Sequence, residues 1–174
     1  MLFSRSRNGL YGLLVLGWDV PVDATKIDPA MPDYPTLVHE WFEEVWNHRN
    51  QQTIDRLLAP DAIVHGIVDE QGRELVGPQA FRQFHQRFLN AFPDARVEVL
   101  DVVADGDTLA ARCFVRGSHR GDGMGFKATQ RMAEFTGMCF ARVRDGRIVE
   151  AWNNFDFLTM HLQLGTLASL QMGH

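Results

Sequence analysis

The spacing of apolar positions along this chain changes partway through. It is helical from about Tyr34 to Pro93 and alternating from Arg96 onward. Leu37, Val38, Trp41, Phe42 and Val45 share one helical face, and Pro35 suits the first turn. His39, Glu40, Glu43 and Glu44 take the opposite side. A short second helix, TIDRLLA, is expected to end at Pro60, and AIVHG (Ala62 to Gly66) to form a short strand. GRELVGP then leads to another helix start at Gly77 and Pro78. Phe81, Phe84, Phe88 and Phe92 follow at helical spacing and stop at Pro93. Such a stripe is core by default in an amphipathic helix.

In the second half, RVEVLDVVA and TLAARCFVRG alternate on either side of ADGD, a hairpin turn. After the loop SHRGDGMGF, a long strand runs from about Arg131 to Arg144. Asp145-Gly146 turns it into RIVEAW, and FLTMHLQLG closes as a short helix with Gly165 as its stop. Helices first and a strand meander later read as α+β, with helices packed on one face of a mostly antiparallel sheet. A sheet that curls around those helices leaves a cavity between the two layers.

Composition narrows the function classes. The chain has 174 residues, 45% hydrophobic and 22% charged, which suits one soluble domain with some extra length. Its net charge of −5 and pI near 5.8 argue against nucleic acid, which needs a basic surface. No polybasic run suggests a membrane patch. Residues 1–34 stand apart as an N-terminal extension, and the domain proper covers 35–174. The apolar run Gly9 to Trp18 falls short of the roughly 20 residues a membrane span needs. It loosely resembles a signal peptide, but Val22-Asp23-Ala24 is a poor cleavage site. The expected location is therefore cytoplasmic, with secretion left open, and the run docks on the domain or on a partner chain.

Candidate chemistry gathers at the end of the last strand, where Trp152, Asn153, Asn154 and Asp156 follow one another closely. Asp156 is either a partly buried base or the N-cap of the closing helix. Asn153 either donates its amide to a substrate oxygen or satisfies buried backbone. His119 shares the strand parity of Ala111, Cys113 and Val115, whose small side chains leave room for a ligand. It is either a base poised near neutral pH or a loop residue in solvent. His65 follows an apolar strand in a comparable position, and Trp46 and Trp152 offer amphipathic rings to a ligand. Arg112, Phe114 and Arg116 lie on the other strand face, which suits a dimer interface. Cys113 and Cys139 form no zinc spacing and read as reduced core thiols. HEWFE lacks the second histidine of a zinc-protease motif, and the glycines from Gly121 to Gly125 do not form a phosphate loop. No histidine pair has metal-ligand spacing, so no metal is expected.

Several pieces in order resemble the SnoaL-like polyketide cyclase family, within the nuclear transport factor 2-like superfamily. They are WFEEVWNHRN, LLAPDAIVHG, LVGPQAFRQFHQRFLNAFPD, GDTLAARCFVRGSH, FTGMCFARVRDGRIVEAWNNFD and the terminal QLG, spanning about Leu37 to Gly165. The resemblance implies a cone-shaped α+β barrel, three helices on a strongly curved sheet. It also implies an apolar pocket for a small oxygenated ligand and a homodimer through the outer sheet face. Ring closure in such cyclases uses neither metal nor cofactor, only a base and donors for the enolate oxygen. The family acid/base aspartate falls at Asn153 and a pocket histidine at Cys139. The expected functions are accordingly a cofactor-independent isomerase, cyclase, dehydratase or hydrolase relying on His119, Asp156 and Asn153, or a non-catalytic ligand binder or dimerising module. His65, Trp46, Ala111, Cys113, Cys139 and Trp152 are the expected ligand contacts.

Overall fold

The computed structural model describes residues 34–167; the Gly9–Trp18 run and the signal-like segment lie outside them. Helix α1 (Tyr34–Glu40) passes directly into a π-helical stretch (Trp41–Asn47), and both bury the apolar face expected from their spacing. Helix α2 (Gln51–Leu57) is capped by Asn50, whose side chain accepts from Gln52 N–H at 3.1 Å. It stops at Leu57, earlier than expected, because Leu58 is already extended. Pro60 favours this, since a residue before proline is driven out of the helical region. Strand β1 (Leu58–Val68) is therefore about twice as long as the predicted AIVHG segment.

A short strand that the pattern did not predict, β2 (Glu74–Val76), precedes α3 (Gly77–Ala91). The meander follows as β3 (Arg96–Asp105), β4 (Thr108–Ser118), β5 (Met132–Arg144) and β6 (Arg147–Phe155), and α4 (Phe157–Leu164) ends at Gly165 with φ 72°. The strand order is β2-β1-β6-β5-β4-β3. Every pairing is antiparallel except β1 with β6, so the sheet is mixed and remains open. Register breaks in β1, β3 and at the β5–β6 pairing let it bend.

The inner face of the sheet is apolar. Leu109, Ala111, Cys113 and Val115 on β4, and Phe135, Ala141 and Val143 on β5, are buried beneath the helices. Phe81, Phe84 and Phe88 of α3 close the layer, as the stripe predicted. His85 lies among them and is fully buried. Its Nε2–H donates to the Val45 carbonyl at 2.9 Å, and its Nδ1 accepts from the Gln51 side-chain amide at 2.9 Å. One neutral imidazole thus ties α3 to the π-helical stretch and to α2. Burial pushes its pKa down to about 4.

The parallel β1–β6 seam brings the first half of the chain against the last strand. Val64 pairs with Ala151 and His65 with Trp152. Gly66 comes next, at φ +81°, and a Cβ there would lie 1.9 Å from the Asn153 carbonyl oxygen. Only glycine fits this approach.

Two outcomes follow from these contacts. Gly66→Ala is expected to destabilise the fold by about 2 kcal/mol or more, from the positive φ and the backbone overlap together. Urea unfolding measures it, and an unchanged midpoint would show that the seam gives way freely. For His85, the folded pKa of about 4 lies below the ordinary histidine value of 6.5, so the unfolded chain binds the proton more readily. Stability is then full above about pH 6.5 and declines as pH falls toward 4, by on the order of 3 kcal/mol. Unfolding at pH 7 and pH 4, compared with His85→Gln, should show that extra loss in the wild type alone.

Candidate functional site

Between the inner sheet face and the helices is a cavity of about 80 Å³. Its wall comes from every layer: Trp41, Phe42 and Trp46 from the N-terminal helical segment, Phe81, Phe84 and Phe88 from α3, and Ala111, Cys139 and Asn153 from the sheet. Phe135 and Phe155, which alternate with the predicted wall residues, also reach it. Their strand parity with Cys139 and Asn153 was the available signal. Trp46 is held edge-on to Phe81, His85 and Phe88 at centroid distances of 6.0, 4.8 and 5.6 Å. The same aromatic groups that line the space also fill most of it.

Two sheet residues bring polar atoms to this wall, and they are directly paired. Cys139 on β5 is opposite Asn153 on β6. The Asn153 amide donates one N–H to the His65 carbonyl at 3.1 Å across the parallel seam. Its second N–H and its carbonyl oxygen are not needed for that bond. Cys113 is fully buried as the diagonal neighbour of Cys139 on the same sheet face. The Cys139 thiol beside it, with burial, pushes the Cys113 thiol up; the Cys113 thiol and the backbone N–H groups of Ala111 and Cys139 lower Cys139 against the opposing effect of burial.

Of the expected site residues, Trp46, Ala111, Cys139 and Asn153 meet at the cavity, with Cys113 immediately behind. The others do not. Asp156 is exposed and caps α4, accepting from Thr159 N–H at 2.8 Å and from the Thr159 hydroxyl at 2.7 Å. Those bonds, backbone first, lower its pKa, so it has the character of a cap and not of a base. His119 keeps the predicted parity and is fully buried, but it lies past the end of β4 and away from the lining. Its Nδ1 accepts from Thr129 N–H at 3.1 Å, and its ring packs on Phe92 and Phe126 at 5.2 and 5.1 Å. Its Nε2 has no partner among the described residues, and burial lowers its pKa.

His65 and Trp152 occupy the opposite, outer face of the sheet. The His65 ring stacks on Trp152 at 5.2 Å, and its nitrogens meet Glu74 at 2.5 Å and Glu150 at 3.1 Å. Carboxylates at both nitrogens favour the doubly protonated ring, so the pKa is raised, mainly by Glu74 and then by Glu150. Arg142 extends this network to Glu150 at 3.3 Å and lies over Trp152 at 5.4 Å. Among the described residues, no three His, Cys, Asp or Glu side chains converge as metal ligands do, and no helix is long and apolar enough to cross a membrane.

Comparisons with known proteins agree with this geometry. A family model described as SnoaL-like polyketide cyclase matches residues 36–164. Among solved structures, wild-type IdmH from Streptomyces antibioticus, provisionally assigned as a polyketide cyclase, is 34% identical. The match covers 77% of this chain and 99% of IdmH, with a TM-score of 0.68. AclR from Streptomyces galilaeus, provisionally assigned as a hydroxylase, is 26% identical over 76% of this chain and 96% of its own, with a TM-score of 0.64. A SnoaL-like protein from Jannaschia sp. CCS1, 18% identical over 75% of this chain and 90% of its own at a TM-score of 0.67, shares the fold. No curated protein matches the chain significantly. With the family model spanning nearly all the described residues and solved relatives sharing the same frame, this chain belongs to the SnoaL-like polyketide cyclase family.

Proposed function

We propose that the chain holds a small, mostly apolar, oxygenated molecule between α3 and the inner sheet face, and that Asn153 binds its oxygen. The observation that carries this reading is the composition of the wall: aromatic and aliphatic throughout, with the Asn153 amide and the Cys139 thiol side by side on the sheet. Apolar surroundings with a few placed polar groups are what small-molecule sites require. The cavity of about 80 Å³ is well below the roughly 300–1,000 Å³ of a drug-sized site. A ligand of polyketide size therefore enters only if the aromatic side chains of α3 and the N-terminal segment move aside.

The reaction is the narrower part of the proposal. No carboxylate or imidazole is among the described lining residues, and the family resemblance places its acid/base aspartate at Asn153. Ring closure here would rest on confinement of a flexible chain and on an amide donor at one oxygen. The same absence favours a second reading, a ligand binder that performs no chemistry. The family match beginning at residue 36 supports a domain that starts near Tyr34, with an extension before it.

A homodimer through the outer sheet face belongs to the same reading. Met138 and Phe140 on β5 are 61% and 43% exposed, and Phe140 packs edge-on against Trp152 at 5.7 Å. Adjacent exposed apolar residues on one sheet face suit a partner surface.

Two measurements test these points. In a thermal-shift and NMR titration, a small cyclic ketone should bind saturably, and Asn153→Leu should weaken it about fivefold, the worth of one net hydrogen bond. The matching hydrocarbon should bind both proteins alike; equal losses for the two ligands would remove Asn153 from recognition. For assembly, sedimentation of the full chain should give a dimer, and Phe140→Asp should convert it to monomer with an unchanged circular dichroism spectrum. A wild-type monomer ends the homodimer reading.

A further inference from the structure

We propose that Cys139 is a nucleophile facing the cavity, and that the site captures α,β-unsaturated carbonyl compounds by reversible addition of its thiol. This rests on the small-molecule reading above and gives that ligand a chemical class.

The argument starts from register. Ala111 pairs with Cys139, and Cys113 with Gly137, so the two cysteines are diagonal neighbours on the same inward face of β4 and β5. Cys113 is fully buried and outside the cavity lining; Cys139 is partly exposed and within it. The outer sulfur is the one that meets the ligand space, and the inner thiol lies diagonally behind it. Cys139 is also the sole ionisable side chain among the described lining residues. A thiolate, not a thiol, attacks carbon, and a hydrogen-bond donor at the sulfur favours the thiolate. The Cys113 thiol beside it and the backbone N–H groups of Ala111 and Cys139 act in that direction.

The second part of the site is directly opposite. Asn153 pairs with Cys139 across β5 and β6, and both line the cavity. Directly opposed residues place their Cβ atoms about 4.5–5.5 Å apart. Side chains this close can reach two atoms of one small ligand. The amide N–H not used by the His65 carbonyl can hold the enone oxygen while the Cys139 sulfur faces the β-carbon. Aromatic walls then enclose the hydrocarbon part.

The step is an addition. Cys139 loses its proton to water, and its sulfur forms a bond to the β-carbon. The carbon–carbon π pair moves to give an enolate, with its negative oxygen on the Asn153 N–H. A proton returns at the α-carbon. The net change is S–H across C=C, with no oxidant or reductant, and elimination reverses it. Cys113 touches no ligand and acts as a positioning residue through Cys139.

The test uses the full chain with cyclohex-2-enone, followed by intact mass and peptide mapping, and with cyclohexanone in a parallel thermal-shift titration. The expected result is a single enone adduct on Cys139, formed faster than on the same cysteine in the urea-unfolded chain. Cys139→Ser should abolish it. Cys113→Ser should slow it and move the inflection of the rate–pH profile upward, which a packing role alone would not do. An adduct on Cys113, or a Cys139 rate no faster than in the unfolded chain, overturns the proposal. Cyclohexanone binding with no enone adduct overturns it too, while leaving the pocket reading in place. If neither compound has any effect, both fall.

Discussion

The parallel pairing of β1 with β6 is the contact on which the rest of the architecture depends. It alone joins the first half of the chain to the meander within the sheet, and it puts helices α1 to α3 over the inner face. Its tolerance is set at Gly66, where two backbones meet more closely than any side chain allows. Asn153 fastens the same place from the other strand, through its amide to the His65 carbonyl. Structural closure and the polar end of the cavity are therefore built from the same few atoms.

That sharing explains why the charged groups are elsewhere. A cavity lined by aromatic rings penalises any ion without a partner. His65 escapes by turning to the outer face, where Glu74 and Glu150 favour its protonated form. Asp156 escapes by ending the strand and capping α4. His119 and His85 stay inside, but both are held neutral by burial. What is left at the wall is an amide and a thiol, groups that can be buried without charge.

How much of this could be read in the sequence depended on the range of each interaction. Alternation and the Asp145-Gly146 turn are local signals, and β3 to β6 fell close to their predicted places. The aromatic stripe of α3 was equally plain. The parallel seam was not, because its partners are separated by almost the whole domain and no local pattern reports them. Without it, the length of β1, the strand β2 and the early end of α2 had no signal. Parity put His119 on the correct side of its strand but could not say that the cavity ends before the strand does. For His65 and Trp152 it was the reverse. Their chemistry was evident, and only the pairing across the seam shows that both face outward.

Position 153 shows the exchange most directly. A carboxylate there would bring acceptors against the His65 carbonyl, an acceptor itself, and would have to be desolvated beside aromatic rings. Both effects raise its pKa, which is what a general base near neutral pH needs, and both weaken the seam. The amide reverses each term. It donates where a carboxylate would repel, it binds Gly66's strand to β6, and it has no proton to trade. Asn153 thus serves the frame as a seam contact. Across the ladder from it, Cys139 brings the other polar atom of the sheet to the wall, with Cys113 diagonally behind it on β4.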